Sequence, residues 1–174
     1  MSVYQIVKEG NPVLREKALP ITNVNDAAIR LLNNLRDTLM VTPKGVGLAA
    51  PQIGISKRAF VVQLINEEED EHIYYEMINP ELTEMEGREE SWEGCLSVPE
   101  LEGLIPRAKK LKVKYTDRES RKNELIAEGY LARVIQHEYD HLNGVLFPDK
   151  ALSIKDTTQT EENRTQNDGA ESED

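Results

Sequence analysis

Two histidines, His137 and His141, stand four apart in the stretch IQHEYDHLNG at 135–144, with Glu138 directly after the first. The chain holds only 3 histidines, and two of them fall at this spacing. On a helix, positions i and i+4 share a face one turn apart, so both imidazoles can reach one ion. Glu138 is rotated by about 100° from His137 on such a helix. Its carboxylate can then approach an open coordination position without becoming a ligand. Water on a divalent ion has a lowered pKa, and a carboxylate so placed can take its proton. This is the H-E-x-x-H logic of metal-dependent hydrolysis. The plain alternative is a solvated helix face with two incidental histidines.

A catalytic metal site normally takes three protein ligands and keeps one position open. Downstream of Gly144 there is no His or Cys, and Asp149 and Asp156 are the only ordered carboxylate candidates. Upstream, WEGCLSVP at 92–99 offers Cys95, the single cysteine. A thiolate is a strong ligand for Zn²⁺ or Fe²⁺, and with two histidines it completes a three-ligand set. A lone cysteine otherwise reads as a small buried hydrophobe. Glu93 could act as a second acid, but an ion pair with Arg107 that braces the cysteine loop is the preferred reading. Asp140 reads as a supporting or capping group rather than a ligand. His72 receives no role, and Trp92 and the tyrosines read as packing.

GVGLAAPQIG at 45–54 has two glycines and two alanines close together. Bare backbone of this kind serves either a tightly packed loop or close approach of another chain.

The elements that must position these residues are legible in part. NDAAIRLLNNLRDTLM at 25–40 reads as a helix, capped by Asn25 or Asp26, with Ala28, Leu32, Leu35 and Leu39 as its apolar stripe. AFVVQLI at 59–65 reads as a buried strand, NEEEDE as a hairpin loop and IYYEMINPEL at 73–82 as the returning strand. KLKVKYTD around 110–117 alternates apolar and polar residues, and ELIAE at 124–128 reads as a further short strand. From Tyr130 to Leu142 the period becomes helical, and Asn143-Gly144 supplies a stop. Strands first, with few helices among them, give an α+β fold.

At 174 residues the chain suits one domain. A net charge of -11 argues against a broad phosphate-binding face and so against general nucleic-acid binding. No window approaches the ~20 apolar residues of a membrane span, and the N-terminus lacks the pattern of a signal peptide. A cytoplasmic monomer is the expectation. The last 20 residues, from Lys155, hold seven acids and two bases, net -5, and read as a disordered tail. The expected division is a catalytic domain over 1–154 and an acidic tail over 155–174.

With these residues in view, the sequence resembles the peptide deformylases. GVGLAAPQIG at 45–54, EGCLS at 93–97 and QHEYDH at 136–141 match that family's pattern in order, and GNPVLR at 10–15 is similar to its opening. The resemblance spans roughly residues 3–150. It implies antiparallel or mixed β-sheets packed around a central helix that carries the H-E-x-x-H residues. It implies hydrolysis of the formyl group from the N-terminal formylmethionine of nascent polypeptides, releasing formate. Cys95, His137 and His141 would bind the metal, and Glu138 would be general base and acid. Gln52 and the backbone N–H of Leu96 would hydrogen-bond the formyl oxygen. Val46, Gly47 and Gly94 would present backbone to a peptide bound as an added strand, and Val134 with Val46 would line the methionine pocket. The resemblance implies Fe²⁺ in the cell, with Zn²⁺, Ni²⁺ or Co²⁺ in purified protein. Relatives that dock on the ribosome use a basic C-terminal helix, so any transient ribosome contact here would not run through the acidic tail. Two other readings compete: a metallopeptidase cutting internal bonds, with its third ligand downstream, and a binding module with a structural metal.

Overall fold

The computed structural model describes residues 2–158. Its elements are α1 (Asp26–Met40), β1 (Gly47–Ala49), β2 (Ala59–Asn66), β3 (Glu71–Glu86), β4 (Glu89–Cys95), β5 (Val98–Arg107), β6 (Lys110–Thr116), β7 (Lys122–Glu128), α2 (Gly129–Leu142) and β8 (Ser153–Asp156). Five strands form one sheet in the order β1-β2-β3-β6-β7, and three form another in the order β4-β5-β8. Every strand pairing in both sheets is antiparallel. The fold is α+β, as the sequence pattern implies.

The unbroken apolar run of β2 has a direct cause. Phe60 and Val62 point to one face of the five-stranded sheet, where they meet Ala132, Val134, Ile135 and Leu142 of α2. Ala59 and Val61 point to the other face, where they meet Leu31, Leu32, Leu35 and Leu39 of α1. A strand covered on both faces has no polar side to alternate with. Asn25 caps α1, its side chain accepting from the Ala28 N–H at 3.1 Å. The chain turns at residues 67–70, as the acidic stretch predicts.

Three outcomes differ from the sequence expectations. The returning strand is longer than 73–82 because two register shifts, between Ile78 and Glu81 and between Thr83 and Glu86, keep it paired with β6 as it bends. The boundary expected at 154/155 falls inside β8, whose Lys155 and Asp156 pair with Glu102 and Leu101 of β5. The remainder of the expected tail, 159–174, lies outside the described residues. Trp92 is 43% exposed rather than packed, and the Lys155 ammonium lies 4.2 Å from its ring centre.

The segment ahead of α1 ties the parts together. The Val7 N–H donates to the Gln52 carbonyl at 2.8 Å, and the Glu9 N–H donates to the Ser97 carbonyl at 2.8 Å. The Lys8 ammonium bonds the Leu96 carbonyl at 2.9 Å. Further on, Asn11 caps a short 3₁₀ turn, Pro12–Arg15, in the GNPVLR stretch. Arg15 pairs with Asp149 and reaches the Gly144 carbonyl, and the Ala18 N–H donates to the Leu142 carbonyl at 2.9 Å. Gly144, with φ +71°, lies against the Arg15 carbonyl, where an added Cβ would come within 2.5 Å. Only glycine fits there.

Candidate metal centre

Residues 137, 138 and 141 lie on the last turns of α2, and the fold brings β4 to them. The ligand atoms of Cys95, His137 and His141 all lie within 4.8 Å of one another. The Cys95 Sγ is 3.4 Å from the His141 Nε2. The His137 Nδ1 meets the Glu93 Oε1 at 2.8 Å. That contact engages Nδ1 and leaves the His137 Nε2 to face the sulfur and its neighbour, the usual way a carboxylate fixes a ligating imidazole. One thiolate and two imidazoles form a soft-to-borderline donor set suited to Zn²⁺ or Fe²⁺. Asp149, the downstream alternative, is committed to Arg15 instead.

Glu138 is 3% exposed, and its Oε2 has no hydrogen-bond partner among the described residues. Burial pushes its carboxyl up to about 7, and Glu93 and Asp140 add to the rise against the opposing charges of His137 and Arg107. A carboxylate balanced near neutral pH suits proton transfer in both directions. Burial would also raise Glu93, but hydrogen bonds from His137 and Arg107 outweigh it and hold Glu93 far below the usual carboxylate range. Glu93 is therefore a fixed anion, not a second acid. Arg107 grips it through Nε at 2.9 Å and Nη2 at 3.0 Å, and reaches Asp140 through Nη1 at 2.6 Å. The bracing pair expected from sequence is present and extends to Asp140 on α2.

Gln52 is buried in the 3₁₀ turn Ala50–Ile53. Its Oε1 accepts from the Ala49 N–H at 3.0 Å, so its amide N–H₂ must point the other way. There it meets the Ser97 Oγ at 3.1 Å and the Cys95 Sγ at 3.7 Å. Leu96 lies in the turn between β4 and β5, next to the sulfur. Fixed donors beside a candidate metal position are the arrangement that stabilises a developing oxyanion.

Gly47 is a glycine because of Glu138. A Cβ at Gly47 would stand 2.6 Å from the Glu138 Oε1 and 2.9 Å from its Cγ and Cδ. We expect Gly47→Ala to displace the carboxylate and lower kcat by roughly tenfold to hundredfold, the effect of an ångström-scale misplacement. Retained metal with a reduced kcat is the expected result, read from steady-state kinetics and metal analysis; an unchanged kcat would remove Glu138 from the chemistry or Gly47 from its support.

The Val46 carbonyl is taken by the Gln63 N–H at 2.7 Å, so Val46 faces β2 through its main chain. Antiparallel pairs alternate in direction, so Gly47, the next residue, turns its main-chain groups to the open side of β1. Gly94 sits at the register shift of β4, and a Cβ there would meet no atom within 4 Å. Both β1 and β4 are edge strands. Val134 is 8% exposed and packs in the same apolar cluster as Val46. His72 pairs within the β2–β3 hairpin, far along the sheet from these groups.

Sequence reasoning passed over Arg133. It is 8% exposed and donates to the Glu93 Oε2 at 2.5 Å, the Glu89 carbonyl at 2.7 Å and the Ile105 carbonyl at 3.0 Å. Its signal was position: it precedes His137 by one helical turn.

Comparisons with known proteins agree with this geometry. The polypeptide deformylase family matches over residues 3–157. A peptide deformylase of Carboxydothermus hydrogenoformans is 50% identical over 154 residues, 88% of this chain and 97% of that protein. One from Syntrophomonas wolfei is 48% identical over 155 residues, 89% of this chain and 97% of that protein. The crystal structure of peptide deformylase from Thermotoga maritima superposes with a TM-score of 0.78 at 41% identity, covering 88% of this chain and 100% of that one. A Met-Ala-Ser-bound class I type b peptide deformylase from Acinetobacter baumannii gives a TM-score of 0.78 at 35% identity, over 86% of this chain and 99% of that one. A cysteine sulfur and two imidazoles beside a buried glutamate, and a family match over residues 3–157, place this chain in the polypeptide deformylase family.

Proposed function

We propose that Cys95, His137 and His141 hold one divalent ion and that Glu138, Gln52 and the Leu96 N–H carry out deformylation around it. The observation that carries this reading is the orphaned, buried Glu138 Oε2 beside the three-donor cluster. A divalent ion in that cluster would polarise the formyl carbonyl and acidify a water. Glu138 takes the proton from the attacking water and passes it to the departing amine. The Gln52 amide and the Leu96 N–H donate to the oxygen that gains charge. Glu93 keeps the His137 ring in one orientation throughout.

The peptide lies as an added strand between the open edges of β1 and β4, held along the Val46, Gly47 and Gly94 backbone. Main-chain recognition tolerates varied sequence beyond the first residue, which suits an enzyme of many nascent chains. Val134 and Val46 form the wall that receives the methionine side chain. The donor set accepts Fe²⁺ in the cell, while availability and the Irving–Williams order give Zn²⁺, Ni²⁺ or Co²⁺ in purified protein. The enzyme works as a monomer in the cytoplasm of a bacterium or in an organelle that starts translation with formylmethionine. Its contact with the ribosome is transient and does not run through the acidic residues 159–174. Among the described residues, no helix is long and apolar enough to cross a membrane.

The test is formate release from formyl-Met-Ala-Ser by anaerobically purified protein, with metal assayed on the same sample. Formate in step with free Met-Ala-Ser is expected. Cleavage of an internal peptide bond would replace this reading with a metallopeptidase. No turnover despite bound Fe²⁺ or Ni²⁺ would leave a site kept for binding.

A further inference from the structure

Two elements supply the three metal-ligating groups. Cys95 comes from the end of β4, and the histidines come from α2. Nothing covalent near the site sets the spacing between them. The side chains that link α2 to β4 must do so: the His137 ring, which meets Glu93, and two guanidinium groups. Arg107 reaches from β5 to Glu93 on β4 and to Asp140 on α2. Arg133 crosses from the other end. It leaves α2 one turn before His137 and binds β4 at two points, the Glu93 carboxylate and the Glu89 carbonyl. Its Nη1 also takes the Ile105 carbonyl of β5.

The two oxygens of Glu93 are divided between these partners. Oε1 receives the Arg107 Nη2 and the His137 Nδ1. Oε2 receives the Arg107 Nε and the Arg133 Nη1. Without Arg133, the carboxylate would keep only one guanidinium plane and could pivot about it, carrying the His137 ring along. The same loss would remove two of the ties between α2 and β4, one of them at Glu93, two residues before Cys95. A planar head with several fixed donors can serve three acceptors at once; an ammonium cannot reach all three.

We propose that Arg133 is a positioning residue that sets the distance and angle between the Cys95 sulfur and the two imidazoles, and so controls how firmly the metal is held. It touches neither the metal nor the substrate. This rests on the metal reading above.

The test uses the full chain loaded anaerobically with Co²⁺, as wild type, Arg133→Met and Arg133→Lys. The cobalt–thiolate and d–d absorption bands report the geometry, and the rate of Co²⁺ loss to excess chelator reports retention. The expected result is a changed d–d pattern and metal loss faster by roughly tenfold to hundredfold in Arg133→Met, the usual range for groups that support a metal ligand. Arg133→Lys should fall between Arg133→Met and wild type. If Arg133→Met does not fold, Arg133→Lys carries the test with the same readouts. Bands that superpose on wild type and release within twofold in the folded variants, with only thermal stability reduced, would overturn the proposal and leave Arg133 a plain structural brace. A wild type that shows no cobalt–thiolate band would overturn the metal reading itself, a result distinct from either.

Discussion

Glu138→Gln is expected to lower kcat for formate release by roughly a thousandfold or more, within the range for loss of a positioned acid–base group. Glutamine keeps the shape and removes the proton traffic. The donor set of Cys95, His137 and His141 is unchanged, so metal content should match wild type. A second readout separates chemistry from damage. The carboxyl is raised by burial from its ordinary 4.5 to about 7 in the folded protein. A raised acid destabilises the fold when it ionises: the native state binds the proton more tightly than the unfolded chain, so stability falls as pH rises from about 4.5 to 7. Each pH unit of that gap is worth about 1.4 kcal/mol, giving roughly 3 kcal/mol lost above pH 7 in metal-free protein. Metal-free Glu138→Gln should therefore melt higher than metal-free wild type at pH 8, and the gap should close towards pH 4. Loss of activity together with lower stability at pH 8 would mean that the substitution harmed the site's structure instead.

Arg107→Leu is expected to cost about 3–5 kcal/mol of stability, the usual result of removing one partner from a buried ion pair. The guanidinium side chain is 3% exposed, against 7% for Glu93 and 11% for Asp140. Leucine would leave two carboxylates with reduced compensation in a dry environment. In a chain of this size that is a fall in Tm of roughly 10–15 °C by thermal unfolding. Arg88→Leu is the control. Its pair with Glu90 is 62% and 46% exposed, and exposed pairs contribute little. A Tm for Arg107→Leu that stays beside that of the control would show that Asp140 and Glu93 do not depend on the charge.

Much of the site was readable because its chemistry demands particular residue types at particular spacings. His137, Glu138 and His141 declare themselves through helical geometry, and the lone cysteine completes the cluster of three donors that the structure brings together. The elements were readable where periodicity was strong, as in α1 and β6. β1 was hidden by its length of 3 residues, two of them Gly and Ala. β5 contains Pro99, Gly103 and Pro106, a composition that argues against a strand, yet it is the centre of its sheet. Gly103 is required there because Phe147 packs within 2.8 Å of where its Cβ would lie. β8 is too polar to stand out from the acidic residues after it. Arg133 was missed because a basic residue on an amphipathic helix reads as part of its solvated face. Only its acceptors, a carboxylate from one strand and carbonyls from two, reveal that it is buried.

The segment from Val7 to Ala18 gives the site a history as well as a shape. Its residues are made early, but their partners arrive at every later stage: Gln52, then Leu96 and Ser97, then Leu142 and finally Asp149. The bond between Arg15 and Asp149 closes a loop of 134 positions. During synthesis the later part of this stretch must wait for its partners while nearly the whole domain emerges behind it. The helix that carries His137 and His141 and the Gln52 turn can each form from local contacts, but their mutual placement needs the packing of α2 on β1 and β2, and α2 is among the last elements made. Folding dominated by such distant pairings is slow. Catalytic competence in this chain should thus appear as a single late event, not build up motif by motif as the polypeptide lengthens.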